Sequence, residues 1–252
     1  MWQHSSPPRT AARNIFITQI IEPIMSDNVS VEIIRRPAIQ ILSATLPKSF
    51  VQELLRDSEL LSTQAKRQNY ADHLVGNFNN GEQIAIKSSE DSDYLCDQPS
   101  FQTLGQIKLN LAKLFIEQYA QEVGRPYSYQ KLDICDMWLN IQQESDFNPL
   151  HSHSTYSNVG LSCFTWLSFP QKVLDNVKNG LLDDRNQAGW THIHYGQTPS
   201  YGDRFFMFPQ KISLVPEIGK LYLFPSWLEH VVYPFKGNGE RISIATNINI
   251  WT

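Results

Sequence analysis

Residues 223–234 are LFPSWLEHVVYP, and this stretch shows how the second half of the chain is built. An apolar run ends at Pro225, a tight turn passes Ser226 and Trp227, and a new apolar run opens at His230. Short apolar runs separated by turn residues are typical of β-strands. The stretch therefore predicts two strands joined by a tight turn, with a histidine at the start of the second strand.

The same pattern extends over most of the second half of the chain. Eight short apolar segments are separated by glycine and proline turns: Leu132–Ile141, Val159–Phe169, Trp190–Tyr195, Phe205–Phe208, Lys211–Val215, Lys220–Phe224, His230–Tyr233 and Arg241–Ile250. No helical pattern separates them, which predicts an antiparallel sandwich or barrel. Before this region, helical periodicity predicts helices over 47–67 and 102–122, the second ending at Gly124 and Pro126. We expect these helices to pack on a β core.

Composition excludes several classes of protein. The chain has 252 residues, a net charge of −4 and 12% aromatic residues, which argues against general disorder and gives no overall attraction to nucleic acid. The strongest apolar stretch, Ile15–Ile24, is too short and too interrupted to cross a membrane. Cys96, Cys135 and Cys163 are too far apart in sequence for a disulfide framework or a zinc knuckle. We therefore expect a cytoplasmic protein without a membrane partner.

The first 24 residues differ from the rest of the chain. They lack hydrophobic periodicity, and they have neither the basic start nor the apolar core of a secretory signal. Met25 opens a sequence that resembles a fresh start, so residues 1–24 are predicted to be a disordered upstream extension. A poorly ordered native N-terminus is the alternative.

Histidines mark a candidate metal site in the β half. His151 and His153 are two residues apart, so in a strand both imidazoles point to the same face. A third ligand must come from a distant part of the chain, and His230 at the start of a strand is the candidate. A His-x-His pair alone is weak evidence, because surface histidines share this spacing by chance.

The sequence around these histidines is more specific. The segments WLNI (138–141), FNPLHSHS (147–154), LFPSWLEHVVYP (223–234) and ERISI (240–244) resemble the 2-oxoglutarate- and iron(II)-dependent oxygenases, in particular a prolyl-hydroxylase-like branch common in marine bacteria and cyanophages. The similarity covers residues 132–250 and extends more faintly to residues 74–77. A histidine pair, a distant histidine and an Arg-x-Ser eleven residues after it form the characteristic combination.

The resemblance implies an α+β, mainly β fold: a double-stranded β-helix, or jelly roll, with N-terminal helices packed on one sheet. Residues 25–252 would form a single oxygenase domain, with a helical part over 25–130 and a jelly-roll core over 131–252. Fe(II) would be bound by His151, His153 and His230. His153 takes the position that most of the superfamily gives to an Asp or Glu, so Asp146 or Glu229 is the alternative source of an oxygen ligand.

The resemblance also assigns a site for 2-oxoglutarate. Arg241 would bind the distal carboxylate of this cosubstrate, since a guanidinium matches a carboxylate in two-pronged fashion. Ser243 shares its face of the last strand, and Asn140 would contribute an amide contact. The alternatives are a surface arginine on an edge strand and a buried asparagine that bonds to the backbone. Thr165 and Trp166 stand where the family usually has a tyrosine, which leaves that pocket wall unassigned.

Several other residues are interpreted as structural and not as part of the metal site. His192 and His194 repeat the i, i+2 spacing, and we expect them to face solvent or to border the substrate cleft. Trp138 and Trp227 are predicted to pack in the core or in turns, and Cys163 to be a buried small hydrophobe. The segment Asp175–Ala188 falls between strands and is a candidate lid over the iron.

The resemblance thus implies a dioxygenase that hydroxylates an unidentified substrate and releases succinate and CO₂, with ascorbate as an accessory reductant. The substrate would be a small molecule or a protein side chain, and nucleic acid is disfavoured. A non-catalytic jelly roll with a relic metal site and a cupin-like three-histidine metalloenzyme are the alternatives.

Overall fold

The computed structural model describes residues 29–36, 39–63, 81–88, 94–180, 188–196 and 210–252. Within these ranges eleven strands and three helices follow one another. The strands are β1 (Ser30–Arg36), β2 (Ile39–Thr45), β3 (Glu82–Lys87), β4 (Lys131–Gln142), β5 (Asn148–His151), β6 (Val159–Ser168), β7 (Thr191–His194), β8 (Lys211–Leu214), β9 (Lys220–Pro225), β10 (Glu229–Val232) and β11 (Arg241–Trp251). The helices are α1 (Lys48–Thr63), α2 (Pro99–Val123) and α3 (Gln171–Lys178).

The strands form two sheets. The larger sheet has the order β1-β2-β9-β6-β11-β4-β3, and the smaller has the order β5-β10-β7-β8. Neighbouring strands in both sheets are antiparallel. The predicted mainly β jelly roll, with N-terminal helices packed on one sheet, is confirmed.

Two apolar clusters hold the layers together. One lies between the larger sheet and the helices, where Phe50 of α1 and Leu104 of α2 pack with Ile244 and Ile248 of β11. The other lies on the face of the larger sheet that carries Phe164 and Trp166, and includes Ile193 and Ile212 of the smaller sheet. Because side chains of a strand alternate between its two faces, β11 contributes to the helix-facing cluster with one set of residues and to the space between the sheets with the other.

Helix α2 begins and ends as its sequence indicates. Pro99 lies in the first turn, where the missing N–H costs nothing, and Gly124 ends the helix with φ of 66°. The N–H groups of Gly124 and Arg125 donate to the carbonyls of Gln121 and Ala120. This left-handed termination is favourable for glycine, which has no Cβ.

The prediction of a helical part over residues 25–130 is wrong in one respect, because this region also contributes three strands. Strands β1 and β2 extend the larger sheet beside β9, and β3 extends it beside β4. Short apolar runs of this kind are ambiguous in sequence, and pairing with the core strands decides their conformation.

Some predictions fall outside the described residues. Residues 1–24, 64–67, 74–77 and 205–208 belong to this group, so the N-terminal extension stays a prediction. The first part of the candidate lid is occupied by α3, whereas residues 181–187 lie outside the described ranges.

Among the described helices, none is both long enough and apolar enough to span a membrane.

Candidate metal centre and cosubstrate pocket

The pairing of β5 with β10 brings the distant histidines together. His230 is the register partner of His151 across these two strands, and a bulge follows before Val232. His153 lies just beyond β5, where its backbone N–H donates to the carbonyl of Ser226 at 2.9 Å. The turn before His230 therefore also fixes the backbone of His153.

The three imidazoles converge on one point. Their ligand atoms all lie within 4.8 Å of one another, and within the described ranges this is the one such cluster of three metal-ligating side chains. The Nε2 atoms of His153 and His230 are 3.3 Å apart. Two nitrogens bound about 2.1 Å from one ion are spaced by about 3 Å, so the separation suits a shared cation.

Partners of the second ring nitrogens orient the rings. Nδ1 of His151 donates to the carbonyl of Pro149 at 2.6 Å, and Nδ1 of His230 faces the carbonyl of Leu228 at 3.4 Å. The side chain of Asn247 hydrogen-bonds to His153. With Nδ1 protonated, the Nε2 atoms of His151 and His230 present lone pairs, which is the tautomer that a metal requires.

Burial disfavours the protonated form of these rings. It is the largest cause of a lowered pKa in His151 and in His230, whose pKa lies well below its usual value. Burial and repulsion from the positive charge of a neighbouring histidine together lower the pKa of His153 to about 4, and the same repulsion contributes to the shift of His230. Neutral imidazole is a good ligand for iron, so the donor set fits Fe(II).

Neither of the alternative carboxylates joins the cluster. Asp146 is buried and accepts a hydrogen bond from the backbone N–H of Gln143 at 2.8 Å, whereas Glu229 is exposed. The donor set that the structure assembles therefore consists of three histidines.

Arg241 is a buried cation that faces the same cavity. Its side chain is nearly inaccessible, and Nη2 donates to Oγ1 of Thr191 at 2.9 Å. Among the described residues, its Nε and Nη1 atoms have no hydrogen-bond partner, and the rings of Trp166 and Phe169 lie 5.9 and 5.8 Å from Cζ. Burial lowers the pKa of the guanidinium to about 9. A buried cation with unpaired donors is expensive, so this position suits the carboxylate of a ligand.

A cavity of about 310 Å³ joins the histidines to Arg241. Strands β4 and β11 form one wall, where Ser243 is the register partner of Asn140. Oδ1 of Asn140 accepts a hydrogen bond from Gln83 of β3 at 2.8 Å, and Ser243 is buried. The structure thus brings all six predicted site residues to one pocket, with Asn140 held by a neighbouring side chain.

Two predictions about aromatic residues are wrong. His192 is fully buried rather than solvent-facing, with its ring 4.8 Å from that of Tyr233. Trp227 is 61% exposed, because it occupies the outer side of the turn before His230. Trp138 packs against the apolar cluster between the sheets, as predicted, and it also lines the cavity and stacks on His153 at 5.7 Å between centroids. Cys163 is buried, as predicted.

Sequence reasoning missed several residues around the site. These are Gln83, Asp136, Asn148, Thr191 and Asn247, all of which line the cavity. Asp136, Trp138 and Asn140 are each two residues apart on β4. This spacing could have shown which face of β4 lines the pocket. Thr191 and Gln83 carry no comparable signal, because their positions depend on how the sheets pair.

The fold and site define a jelly-roll protein in which a candidate metal site and a buried arginine share one cavity, and comparison with known proteins shows what it resembles. Residues 136–247 match the family model described as "Putative 2OG-Fe(II) oxygenase". The matched region contains His151, His153, His230 and Arg241, so the part of the chain that carries the site resembles the 2-oxoglutarate-dependent oxygenases. The expected marine bacterial and cyanophage branch stays a prediction. Among curated proteins, none matches the chain.

Solved structures share the fold. A prolyl-4-hydroxylase of Pseudomonas putida matches with a TM-score of 0.51 and 12% identity, over 86% of this chain and 95% of that one. A prolyl hydroxylase of Trichoplax adhaerens, solved with a hypoxia-inducible-factor peptide, matches with a TM-score of 0.52 and 13% identity, over 90% of this chain and 84% of that one. HygX of Streptomyces hygroscopicus, solved with nickel and 2-oxoglutarate, matches with a TM-score of 0.51 and 12% identity, over 83% of this chain and 82% of that one. At such identities the likeness concerns the fold alone.

Proposed function

We propose that this protein is an Fe(II)- and 2-oxoglutarate-dependent dioxygenase that hydroxylates a C–H bond of its substrate. One O₂ and one 2-oxoglutarate would be consumed for each hydroxyl group formed, and succinate and CO₂ would be released. The observation that carries this proposal is the pairing of three convergent imidazoles with a buried, incompletely bonded arginine across one small cavity.

Each residue has a distinct task in this reaction. His151, His153 and His230 would hold the metal, and Fe(II) would supply the activation of O₂. Arg241 would bind the distal carboxylate of 2-oxoglutarate, with Ser243 and Asn140 on the adjoining wall of the pocket. Positioning the cosubstrate between two fixed ends removes much of its rotational freedom before the reaction begins.

The alternatives account for fewer features. A relic site in a binding protein gives no reason for a buried arginine whose Nε and Nη1 lack partners within the described part of the chain. A cupin-like three-histidine enzyme needs the histidines but not Arg241. The substrate proposed is a small molecule or a protein side chain.

Succinate formation tests the proposal. Purified protein is incubated with Fe(II), 2-oxoglutarate, O₂ and ascorbate, and succinate is quantified beside the His230→Ala protein. We expect slow uncoupled succinate formation by the wild type and none above background by the variant. Equal succinate from both proteins would contradict the proposal.

A further inference from the structure

His153 differs from the other two candidate ligands in the partner of its ring. In His151 and His230, Nδ1 faces a backbone carbonyl two residues earlier in the chain. His153 instead hydrogen-bonds to the side chain of Asn247 on β11. One substitution can therefore remove this bond and leave the backbone around the ring in place.

Asn247 reaches the metal site because of its position on β11. It lies six residues after Arg241, so both side chains are on the face of the strand that lines the cavity. On the neighbouring strand β6, Ser162 is its register partner, and Oγ of Ser162 donates to Oδ1 of Asn247 at 3.1 Å. Both side chains are buried. Ser162 therefore fixes the orientation of the Asn247 amide.

The amide oxygen of Asn247 is the acceptor in its bond to His153. Burial is the largest influence on the pKa of His153 and lowers it, whereas this hydrogen bond acts to raise it. A partner that accepts a ring N–H has that effect, because it favours the protonated ring. A carbonyl oxygen has two lone pairs, so Oδ1 can accept from Ser162 and from His153 together.

The geometry of the ring shows which nitrogen donates. Nε2 of His153 lies 3.3 Å from Nε2 of His230 and is directed at the candidate metal position. Nδ1 is therefore the nitrogen that donates to Asn247. A neutral imidazole with its proton on Nδ1 carries its lone pair on Nε2. Trp138 stacks on the same ring with the two planes 22° apart, which limits its tilt.

A histidine at position 153 needs such support more than a carboxylate would. Either oxygen of an ionised carboxylate can bind a metal. A neutral imidazole has one lone pair, and only one of its two tautomers places that lone pair on Nε2. An acceptor beside Nδ1 selects this tautomer before the metal arrives.

We propose that Asn247, oriented by Ser162, is a positioning residue that holds His153 in the Nδ1–H tautomer, so that a histidine serves as ligand where most of the superfamily has a carboxylate. This inference rests on the metal site of the proposed function and adds the residue on which its third ligand depends.

A double-mutant cycle on iron affinity tests this inference. Fe(II) binding is measured anaerobically, in competition with a chelator, for the wild type, Asn247→Leu, His153→Asp and the double variant. Asn238→Leu, at an exposed asparagine, is the matched control and should bind Fe(II) as the wild type does. We expect Asn247→Leu to weaken Fe(II) binding by about 10- to 100-fold, as is typical of a residue that supports a ligand. In the His153→Asp background the same substitution should have little effect, because no ring tautomer is left to select.

Nitrogen-15 NMR of the metal-free protein reads the tautomer directly. Near neutral pH we expect the proton of His153 on Nδ1 in the wild type and in Asn238→Leu. In Asn247→Leu we expect a mixture of the two tautomers. A role of Asn247 in folding alone would not change this spectrum, and the wild-type measurement decides the matter even if Asn247→Leu does not fold.

Three results would overturn the inference. These are an Nε2–H tautomer of His153 in the wild type, an unchanged tautomer in Asn247→Leu, and an equal loss of Fe(II) affinity in both backgrounds. Each of them leaves the proposed function standing if the wild type forms succinate. A wild type that shows the expected tautomer and dependence on Asn247 but forms no succinate would contradict the proposed function alone.

Discussion

Nε2 of His153 lies 3.3 Å from Nε2 of His230, although the two residues are 77 positions apart in the chain. His230 is buried and His153 is half-buried, and burial lowers the pKa of both rings, which disfavours a proton between the two nitrogens. A metal ion between the two lone pairs would turn this close approach into a favourable arrangement. A metal bound there would link the turn before β10 to the loop after β5.

Removal of one histidine should remove the metal. His230→Ala or His151→Ala leaves two protein ligands, and we expect iron affinity to fall by more than the ~10–100-fold typical of losing a residue that merely supports a ligand. Metal content after equilibrium dialysis against Fe(II) measures the effect. His194→Ala, a histidine outside the cluster, is the matched control and should retain iron. Full iron occupancy in His230→Ala would refute the ligand assignment.

Replacement of His153 by Asp should be tolerated. The substitution restores the two-histidine, one-carboxylate set of most of the superfamily and adds a negative charge that favours a divalent cation. We expect His153→Asp to bind iron at least as tightly as the wild type in competition with a chelator. Complete loss of metal in this variant would indicate that the pocket requires three imidazoles.

Arg241 should contribute mainly to cosubstrate affinity. A charge-assisted hydrogen bond is worth about 1.5–3 kcal/mol, so Arg241→Ala should weaken 2-oxoglutarate binding by roughly 10- to 150-fold. Arg241→Lys should recover only part of the affinity, because an ammonium lacks the planar fork. Calorimetry on the anaerobic Fe(II) protein measures both.

The exposed Arg125 provides the control for this comparison. Arg125→Ala should bind 2-oxoglutarate as the wild type does. An Arg241→Ala protein with unchanged 2-oxoglutarate affinity would show that the distal carboxylate binds elsewhere.

The buried Lys108 of α2 should make stability depend on pH in the alkaline range. Its Nζ donates to the carbonyl of Ile244 and to Oγ1 of Thr246, and burial lowers its pKa from 10.5 to about 8. Between these values the unfolded chain binds more protons than the folded one, so this group makes the folded state more stable as pH rises. From pH 8 to 9.5 the gain is up to about 2 kcal/mol.

Urea unfolding at pH 7.0, 8.0 and 9.5 measures this effect. The difference between the wild type and Lys108→Met isolates the lysine from the cysteines and tyrosines that titrate in the same range. We expect the unfolding free energy of the wild type to rise relative to that of Lys108→Met as pH increases. A difference that is constant across this range would contradict the assigned pKa.

The sequence predicted those parts of the site that follow from local spacing. His151 and His153, like Arg241 and Ser243, share a face because alternate residues of an extended chain do so. The strands of the second half were recognisable because turn residues separate them. The position of His230 at the start of a strand made it a candidate third ligand, and the resemblance to a family assigned it to the pair.

What the sequence did not predict depends on pairing between strands. Strand β3 places Gln83 against Asn140, and β7 places Thr191 against Arg241. Neither contact has a local signal, since each joins residues more than 45 positions apart. The burial of His192 likewise depends on how the smaller sheet packs, which the sequence around this histidine does not indicate.

Metal-dependent binding of 2-oxoglutarate tests the central claim most directly. The protein is titrated with 2-oxoglutarate under anaerobic conditions, with and without Fe(II), and His230→Ala is titrated in parallel. The account predicts tight binding by the wild type with iron, much weaker binding without it, and no gain from iron in His230→Ala. If the wild type binds no 2-oxoglutarate at millimolar concentration with iron present, this protein is not a 2-oxoglutarate-dependent oxygenase.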